Sequence, residues 1–261
     1  MSEEEEKEKT AEDIIKAQIR VSLDDYKKAD KAIALSAFIA GLEIGFSVLL
    51  MGVLYTLYQP IFDSEGLHLM VSLGYPIGFI FVILGRSELF TEQTALAILP
   101  VLNGKASLKD LIQFWALIIA GNLAGGALFA VFLSWIGPGM DIISVAALES
   151  IAKKMTDQTP LLTLGSAVLA GWMMGLLSWL LSSTKETISK IIIVLLITVI
   201  IGIASLHHCI VGSVEVLSGL MVSEQILWVD YGKFLLFSVS GNIVGGAFFV
   251  SVLKFSQLKL E

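Results

Sequence analysis

The sequence predicts an all-α polytopic membrane protein with six transmembrane helices, arranged as two inverted three-helix repeats that each contain one broken helix. Composition is the first reason. The 261-residue chain is 56% hydrophobic and only 16% charged, whereas soluble domains average about 25% charged residues. The second reason is that its apolar runs are long enough to cross about 30 Å of hydrocarbon. The third is that two runs carry a polar interruption and one glycine-rich motif occurs twice.

The distribution of charge divides the chain into three parts. Ten of the 24 acidic residues lie in the first 30 positions, so residues 1–30 are predicted to form an acidic cytoplasmic segment. Residues 31–256 are predicted to form the transmembrane domain, with repeats over 31–137 and 160–256. Residues 257–261 are left as a short cytoplasmic tail.

The N-terminal segment contains one partly amphipathic stretch, residues 11–30, in which Ile15, Ile19 and Tyr26 share approximately one helical face. This pattern favours a short helix lying at the membrane surface. A gating or inhibitory role is the alternative. No apolar core of a signal peptide precedes it, so no cleavage is expected.

Composition also argues against several classes of protein. The net charge is −7, and no basic stripe is present that could neutralise phosphates, so nucleic-acid binding is not expected. Cys209 is the single cysteine, so it cannot form an internal disulfide. The connections contain no nucleophile–base pair and no cofactor motif, so neither an enzyme nor a resident cofactor is predicted.

Six segments are long and apolar enough to span a bilayer. They are residues 32–58, 68–102, 111–137, 161–183, 191–222 and 234–253. The second is interrupted by polar residues over 85–94 and the fifth over 204–213. We interpret both as helices that are broken near mid-depth.

The short connections fix the predicted orientation. With the N-terminus inside, thirteen of the 17 Lys and Arg residues fall on the inner side and three on the outer side; the remaining one, Arg86, lies within a span. Basic residues concentrate in cytoplasmic loops. Both termini are therefore predicted to be cytoplasmic.

The glycine-rich motif GNLAGGALF at residues 121–129 returns as GNIVGGAFF at 241–249. Each copy lies in the third span of its repeat, and three spans per repeat invert the second unit relative to the first. The glycines favour close helix packing. Asn122 and Asn242 either brace the broken helices or line a pore.

Ionisable residues inside a bilayer are costly and usually serve a pathway or a pairing. Here they are Glu43, Arg86, Glu88, Glu92, His207, His208 and Glu215. Arg86 is predicted to form an ion pair with Glu88 or Glu92. Adjacent residues such as His207, His208 and Cys209 do not readily converge on one ion, so no metal site is predicted. A histidine in the second broken helix either exchanges protons or donates hydrogen bonds to a passing solute, or it holds loop carbonyls.

Several of these features together resemble the formate/nitrite transporter family. The matching residues are Leu89-Phe90-Thr91 in the first broken helix, His208 in the second, and the two Gly-Asn-x-x-Gly motifs. The number and order of spans agree over about residues 30–255. The resemblance implies an aquaporin-like protomer, a homopentamer with one pore in each protomer, and a small monovalent anion as substrate, in a prokaryotic cytoplasmic membrane.

The resemblance also implies positions for the pathway. Thr91 and His208 would face the substrate at mid-pore, between two apolar constrictions. One constriction would include Tyr75, Phe79, Leu89 and Phe90, the other Ile201, and Lys154 would lie in a vestibule. His207, Glu88, Arg86, Asn122 and Asn242 would form a proton relay or a polar network of the broken helices.

The chain departs from the formate members of the family at three positions. Those members carry a glutamate before the central histidine, where this chain has His207. They carry asparagines where this chain has Gly212 and Gly171. Arg86 and Glu88 are further additions. The pathway lining is therefore expected to differ from that of a standard formate channel.

Together these features predict a channel or transporter of small weak-acid anions, coupled to protons through the central histidine. A water channel would use paired Asn-Pro-Ala motifs, and neither broken helix has a proline within its interruption. A protein whose pore is plugged by an Arg86–Glu88 pair, and which binds a partner through its acidic tail, is a further alternative.

Overall fold

A computed structural model describes residues 9–260 of the chain, without the side chains of 249–251 and 257–260. The acidic run at residues 3–6 and Glu261 lie outside the described residues, and so do the side chains of the predicted tail.

The described residues form helices joined by short connections and breaks, and they form no strand. The helices are α1 (Ala11–Asp25), α2 (Asp30–Tyr58), α3 (Ser64–Ser72), α4 (Pro76–Gly85), α5 (Phe90–Leu96), α6 (Leu99–Leu102), α7 (Leu108–Gly139), α8 (Val145–Thr156), α9 (Pro160–Ser183), α10 (Thr187–Ile203), α11 (Cys209–Val222), α12 (Trp228–Ile243), a π-helical continuation (Val244–Val252) and α13 (Leu253–Leu260).

Apolar helices of membrane-spanning length dominate the fold. Within the described range, five are long and apolar enough: Asp30–Tyr58, Ser64–Gly85, Leu108–Gly139, Pro160–Ser183 and Trp228–Ser256. Shorter apolar helices cover Phe90–Leu102, Thr187–Ile203 and Cys209–Val222. The predicted all-α membrane fold is confirmed. The count of six spans stays a prediction, because the predicted broken spans are assembled from pieces.

Both predicted interruptions coincide with helix ends. The first break separates α4 from α5 over residues 86–89, and the second separates α10 from α11 over residues 204–208. Each break contains a non-glycine residue in the left-handed region, Arg86 with φ 59° and Ser205 with φ 50°. A left-handed residue ends a helix by redirecting the chain. The two breaks are therefore built alike.

The two repeats pack in the same way. Helix α2 lies against α7 and α9 lies against α12, while α5 packs on α9 and α11 packs on α7, so each half-helix crosses into the other repeat. A Cβ atom at Gly125 would overlap the carbonyl oxygen of Phe38, and one at Gly245 would overlap that of Val168. The glycines of the repeated motif thus allow the backbones to meet, as small residues do in membranes.

Helix α1 is present and packs on the protein, while its position at the membrane surface stays a prediction. Ile15 and Ile19 are buried in a cluster with Leu99, and Leu102 and Trp179 pack against this cluster. The apolar face of α1 is therefore covered by protein. This packing was not predictable, because an amphipathic pattern does not distinguish lipid from protein as its partner.

We expect Gly125→Ala to lower the thermal unfolding midpoint in detergent, because its methyl group must push α7 away from α2. Overpacking of this kind costs about 1–3 kcal/mol. Gly165→Ala is the matched control, since nothing lies within 4 Å of a Cβ atom built there. Equal midpoints for the two variants would contradict the close packing of α2 and α7.

Candidate substrate pathway

The two asparagines of the repeated motif make equivalent hydrogen bonds at the two breaks. The side-chain oxygen of Asn122 accepts from Phe90 N–H at 2.8 Å, and its amide donates to the carbonyls of Ala37 at 2.7 Å and Glu88 at 2.8 Å. Asn122 therefore holds the first half-helix both at its first residue, Phe90, and at Glu88 in the break before it.

Asn242 repeats this pattern in the second repeat. Its oxygen accepts from Cys209 N–H at 2.8 Å, and its amide donates to the carbonyls of Ala167 at 2.8 Å and His207 at 3.0 Å. Both asparagines are 0% exposed. Of the two roles that the sequence left open, the geometry favours bracing over pore lining, because every donor hydrogen and the oxygen of each amide is engaged.

The braced half-helices bring Thr91 and His208 together. Thr91 Oγ1 lies 2.7 Å from His208 Nε2, and Val211 N–H donates to His208 Nδ1 at 3.3 Å. Because Nδ1 accepts, the neutral ring carries its proton on Nε2 and donates it to Thr91. The Thr91 hydroxyl proton is then available for a second acceptor.

A small cavity lies beside His208, and we refer to it as the chamber. It has a volume of about 40 Å³, and its lining includes His68, Tyr75, Lys154, His208 and Glu215. A water molecule needs roughly 10–15 Å³ of such volume. The chamber therefore admits only a solute of a few atoms.

The chamber continues into a wider depression, which we call the vestibule. The vestibule has a volume of about 670 Å³ and shares His68 and Lys154 with the chamber. Glu149 and Lys153 stand on its rim, paired at 2.7 Å. Helix α8 supplies this rim.

Lys154 is held at the junction of vestibule and chamber. Its Nζ lies 2.5 Å from His68 Nδ1, and His68 Nε2 lies 2.7 Å from the carbonyl oxygen of Ile203. Burial lowers the pKa of the Lys154 ammonium, and the Glu215 carboxylate opposes this effect. A cation stands near the chamber entrance, where an anion would arrive.

The other side of the His208–Thr91 pair is closed by apolar side chains. Leu89 and Phe79 are 0% exposed and Phe90 is 1% exposed, and the Phe79 ring meets the imidazole edge-on at 5.1 Å. The Tyr75 ring packs on the Phe79 ring, with the centroids 5.4 Å apart, and Tyr75 also lines the chamber.

Tyr75 and Ile201 both line the chamber. Tyr75 is the residue before α4 and Phe79 lies within it, one helical turn further on, and this spacing keeps two side chains on one face. The assignment of Tyr75 and Phe79 to one apolar constriction, and of Ile201 to the other, stays a prediction.

The predicted ion pair of Arg86 is also wrong. Glu88 is paired with Lys28 at 2.7 Å, and Gln93 donates to its second oxygen at 2.6 Å. Arg86 is exposed and has no ion-pair partner among the described residues. Glu88 pairs instead with a residue 60 positions away in the sequence.

Lys28 joins the N-terminal segment to the first break. It also pairs with Asp25 at 2.7 Å. Burial would lower the pKa of Lys28, but its hydrogen bonds to the Asp25 and Glu88 carboxylates raise it above its ordinary value. Tyr26 adds a hydrogen bond to the Ala97 carbonyl at 2.7 Å.

His207 points away from the chamber, whose described lining does not include it. Its Nδ1 lies 2.9 Å from Ser166 Oγ, and its ring lies 6.2 Å from that of Phe234. Adjacent residues in an extended connection project to opposite sides, which separates His207 from His208. His207 therefore belongs to the polar network of the second break.

The family departures at Gly171 and Gly212 have packing explanations. A Cβ atom at Gly171 would overlap the backbone of Asn242, just as one at Gly41 would overlap that of Asn122. One at Gly212 would meet the Phe234 ring. These glycines let neighbouring helices approach the braces and the second break.

Sequence reasoning missed the roles of His68, Glu215 and Lys28. Glu215 had a signal, since it follows His208 by seven residues and so lies on the same helical face. His68 and Lys28 had none, because their partners are distant in sequence. No group of His, Cys, Asp and Glu suited to a metal ion occurs in the part of the chain that the structure describes.

Comparison with known proteins gives consistent results. A family model described as "Formate/nitrite transporter" matches residues 12–256. The inner membrane protein YfdC of Escherichia coli K12 is 31% identical over 235 residues, which cover 87% of this chain and 72% of YfdC. The formate channel FocA of Haemophilus influenzae is 25% identical over 251 residues, covering 87% of this chain and 88% of FocA.

Solved structures resemble the fold over nearly its whole length. An "FNT family ion channel" superposes with a TM-score of 0.82 at 20% identity, covering 95% of this chain and 98% of that one. A "pentameric formate channel with formate bound" superposes with a TM-score of 0.73 at 22% identity, covering 90% and 100%. The relatives named here as channels are transport proteins rather than enzymes.

We expect Asn122→Ala and Asn242→Ala each to destabilise the protein in detergent, because three buried backbone groups lose their partner. A buried polar group left unsatisfied costs about 1–3 kcal/mol. The control is Asn103→Ala, at an exposed position. If the midpoints of all three variants match the unmodified protein, the bracing role is contradicted.

Proposed function

The chain belongs to the formate/nitrite transporter family, and we propose that it conducts small monovalent weak-acid anions, such as formate or nitrite, past His208. The observation that carries this proposal is the 2.7 Å contact of Thr91 with His208, which lines the chamber. Two hydrogen-bonding side chains, one from each repeat, meet there, and the chamber beside His208 has room for a solute of a few atoms.

Electrostatics explain why such a path needs a proton. A bare charge at the centre of a bilayer costs about 3–17 kcal/mol, depending on the reference state and on water penetration. Protonating an acid of pKa near 4 at pH 7 costs only about 4 kcal/mol, at about 1.36 kcal/mol per pH unit. Through dry apolar side chains the neutral acid is the less costly species.

His208 and Thr91 would bind the anion where it stops before the apolar constriction. The Thr91 hydroxyl donates to one substrate oxygen, and the imidazole N–H orients that hydroxyl or turns to the substrate itself. Hydrogen bonds to charged groups are the stronger ones, and a low-dielectric site strengthens them further. The pair would hold the anion while it gains a proton.

The geometry limits how the imidazole could supply that proton. With Nδ1 engaged by Val211 N–H, the ring holds a single proton, and losing it would leave an imidazolate. Relay through His208 therefore needs a second proton on Nδ1, which displaces the hydrogen bond from Val211. A proton must first arrive from a neighbouring group or from water.

The assembly and location follow the same proposal. The pentameric neighbour supports a homopentamer with one path in each protomer, and the inner membrane relative supports a multi-pass protein of a prokaryotic cytoplasmic membrane. Both termini would be cytoplasmic, so the vestibule would face outward. Lys154 would then attract the anion from outside.

We expect His208→Phe and Thr91→Val to reduce formate flux into liposomes at least about tenfold, since a hydrogen bond to a charged group contributes about 1.5–3 kcal/mol. His207→Phe is the matched control, because it removes an imidazole that points away from the chamber. Flux is followed with a trapped pH indicator after a formate pulse.

Undiminished, pH-independent formate flux in His208→Phe would exclude the central histidine from the path. Osmotic shrinkage without acid-driven pH change in the unmodified protein would instead indicate a water channel. If each variant elutes at the position of the unmodified assembly, its reduced flux does not result from misfolding.

A further inference from the structure

The chamber contains a carboxyl group for which a simple anion path has no use. Glu215 is 2% exposed and lines the chamber with His208, Lys154 and Tyr75. Negative charge beside an entering anion is repulsive, and burial strengthens the repulsion. An ionised carboxylate here would hinder the passage of an anion, whereas a protonated carboxyl would not.

The position of Glu215 relates it directly to the imidazole. His208 is the residue before α11, and Gly212 and Glu215 follow it by four and seven residues, so all three face one side of the helix. All three residues line the chamber. The carboxyl therefore follows the imidazole along one wall of the chamber, on the side that leads to the vestibule.

The surroundings of Glu215 leave its oxygens available to a solute. No hydrogen bond or ion pair to the Glu215 carboxyl is found among the described residues, although Lys154 is near enough to interact electrostatically with it. A carboxyl buried for structural reasons is normally hydrogen-bonded. Here the chamber supplies the space for a partner.

The other titratable or charged groups on the chamber come from four places. They are His68 of α3, Tyr75 before α4, Lys154 of α8 and His208 before α11. Helices α2 and α10 contribute the apolar Met51 and Ile201. Helices α7 and α12, which also pack on α11, contribute none of the described lining residues.

We propose that Glu215 is the proton donor of the chamber, which protonates the weak-acid anion before it passes His208. This inference rests on the proposed function. Glu215 enters the cycle neutral, so it does not repel the anion. The Oε–H bond breaks, an O–H bond forms on the substrate oxygen, and the bonding electron pair stays on the carboxylate.

The transfer is balanced and close to isoenergetic, because the chamber disfavours the charged form of the bound substrate and of Glu215 alike, and the two acids have similar ordinary pKa values. The ammonium of Lys154 compensates the resulting carboxylate. Water in the vestibule then returns the proton to Glu215. The substrate class that this chemistry selects is a small acid with a pKa near that of glutamic acid.

Formate flux into liposomes at external pH 7 and pH 5 tests the proposal, using the full chain and Glu215→Gln. At pH 7 an acid of pKa near 4 is protonated in about one molecule per 1,000. Because Glu215→Gln lacks the donor, it conducts only the formate molecules that are already protonated. We therefore expect its formate flux at pH 7 to fall at least about tenfold. At pH 5, where about one molecule in ten is protonated, the loss should shrink to within about twofold.

Two further variants provide controls. Glu215→Asp keeps an ionisable carboxyl, and we expect it to restore the shallow pH dependence of the unmodified protein. Glu224→Gln makes the same change of charge at an exposed position that lines neither the chamber nor the vestibule, and it should behave as the unmodified protein does. Assembly is checked by elution for each variant.

The outcomes separate this inference from the proposed function. If Glu215→Gln equals the unmodified protein at pH 7, or loses flux by the same factor at both pH values, Glu215 is not the donor. If the unmodified protein moves no formate beyond empty liposomes, the proposed function itself fails.

Discussion

The hydrogen bonds of two buried asparagine amides are the constraint on which the rest of this structure depends. A helix that breaks inside a membrane leaves backbone groups without water, and each must find a partner in the protein. Asn122 and Asn242 meet this need in the same way, through an N–H at the start of the half-helix and a carbonyl in the break. The two half-helix ends are therefore fixed relative to each other, and Thr91 meets His208.

The repeats supply what the braces need. Glycines at 41 and 171 let the helix backbones reach the braces, and glycines at 125 and 245 bring the same helix pairs together one turn further on. Each half-helix also packs against the opposite repeat. The site is thus an interface between the two halves of the chain, and neither half could form it alone.

The sequence was sufficient for the fold class and for both breaks, because apolar length and polar interruption are local signals. It was also sufficient to single out Thr91 and His208, which a resemblance placed at corresponding breaks. It failed where the outcome depends on tertiary contacts. Arg86 and Glu88 are two residues apart, yet Glu88 pairs with Lys28, which is 60 residues away.

The charges around the proposed path are arranged by distance from its centre. Lys154 contacts His68 where the vestibule meets the chamber. Glu215 and His208 line the chamber itself, and the Phe79 ring packs against the imidazole. In this account an anion is attracted first, neutralised next, and only then passed through the dry segment. The cost of moving a charge across hydrocarbon is avoided because the charge is removed before it arrives.

The ratio of protons to formate that enter together is the most direct measure of this account. Liposomes containing the protein and a trapped pH indicator would be given labelled formate, with the membrane potential clamped. The account predicts one proton for each formate and an entry rate that does not depend on the potential. Formate entry that follows the potential without acidifying the interior would contradict it.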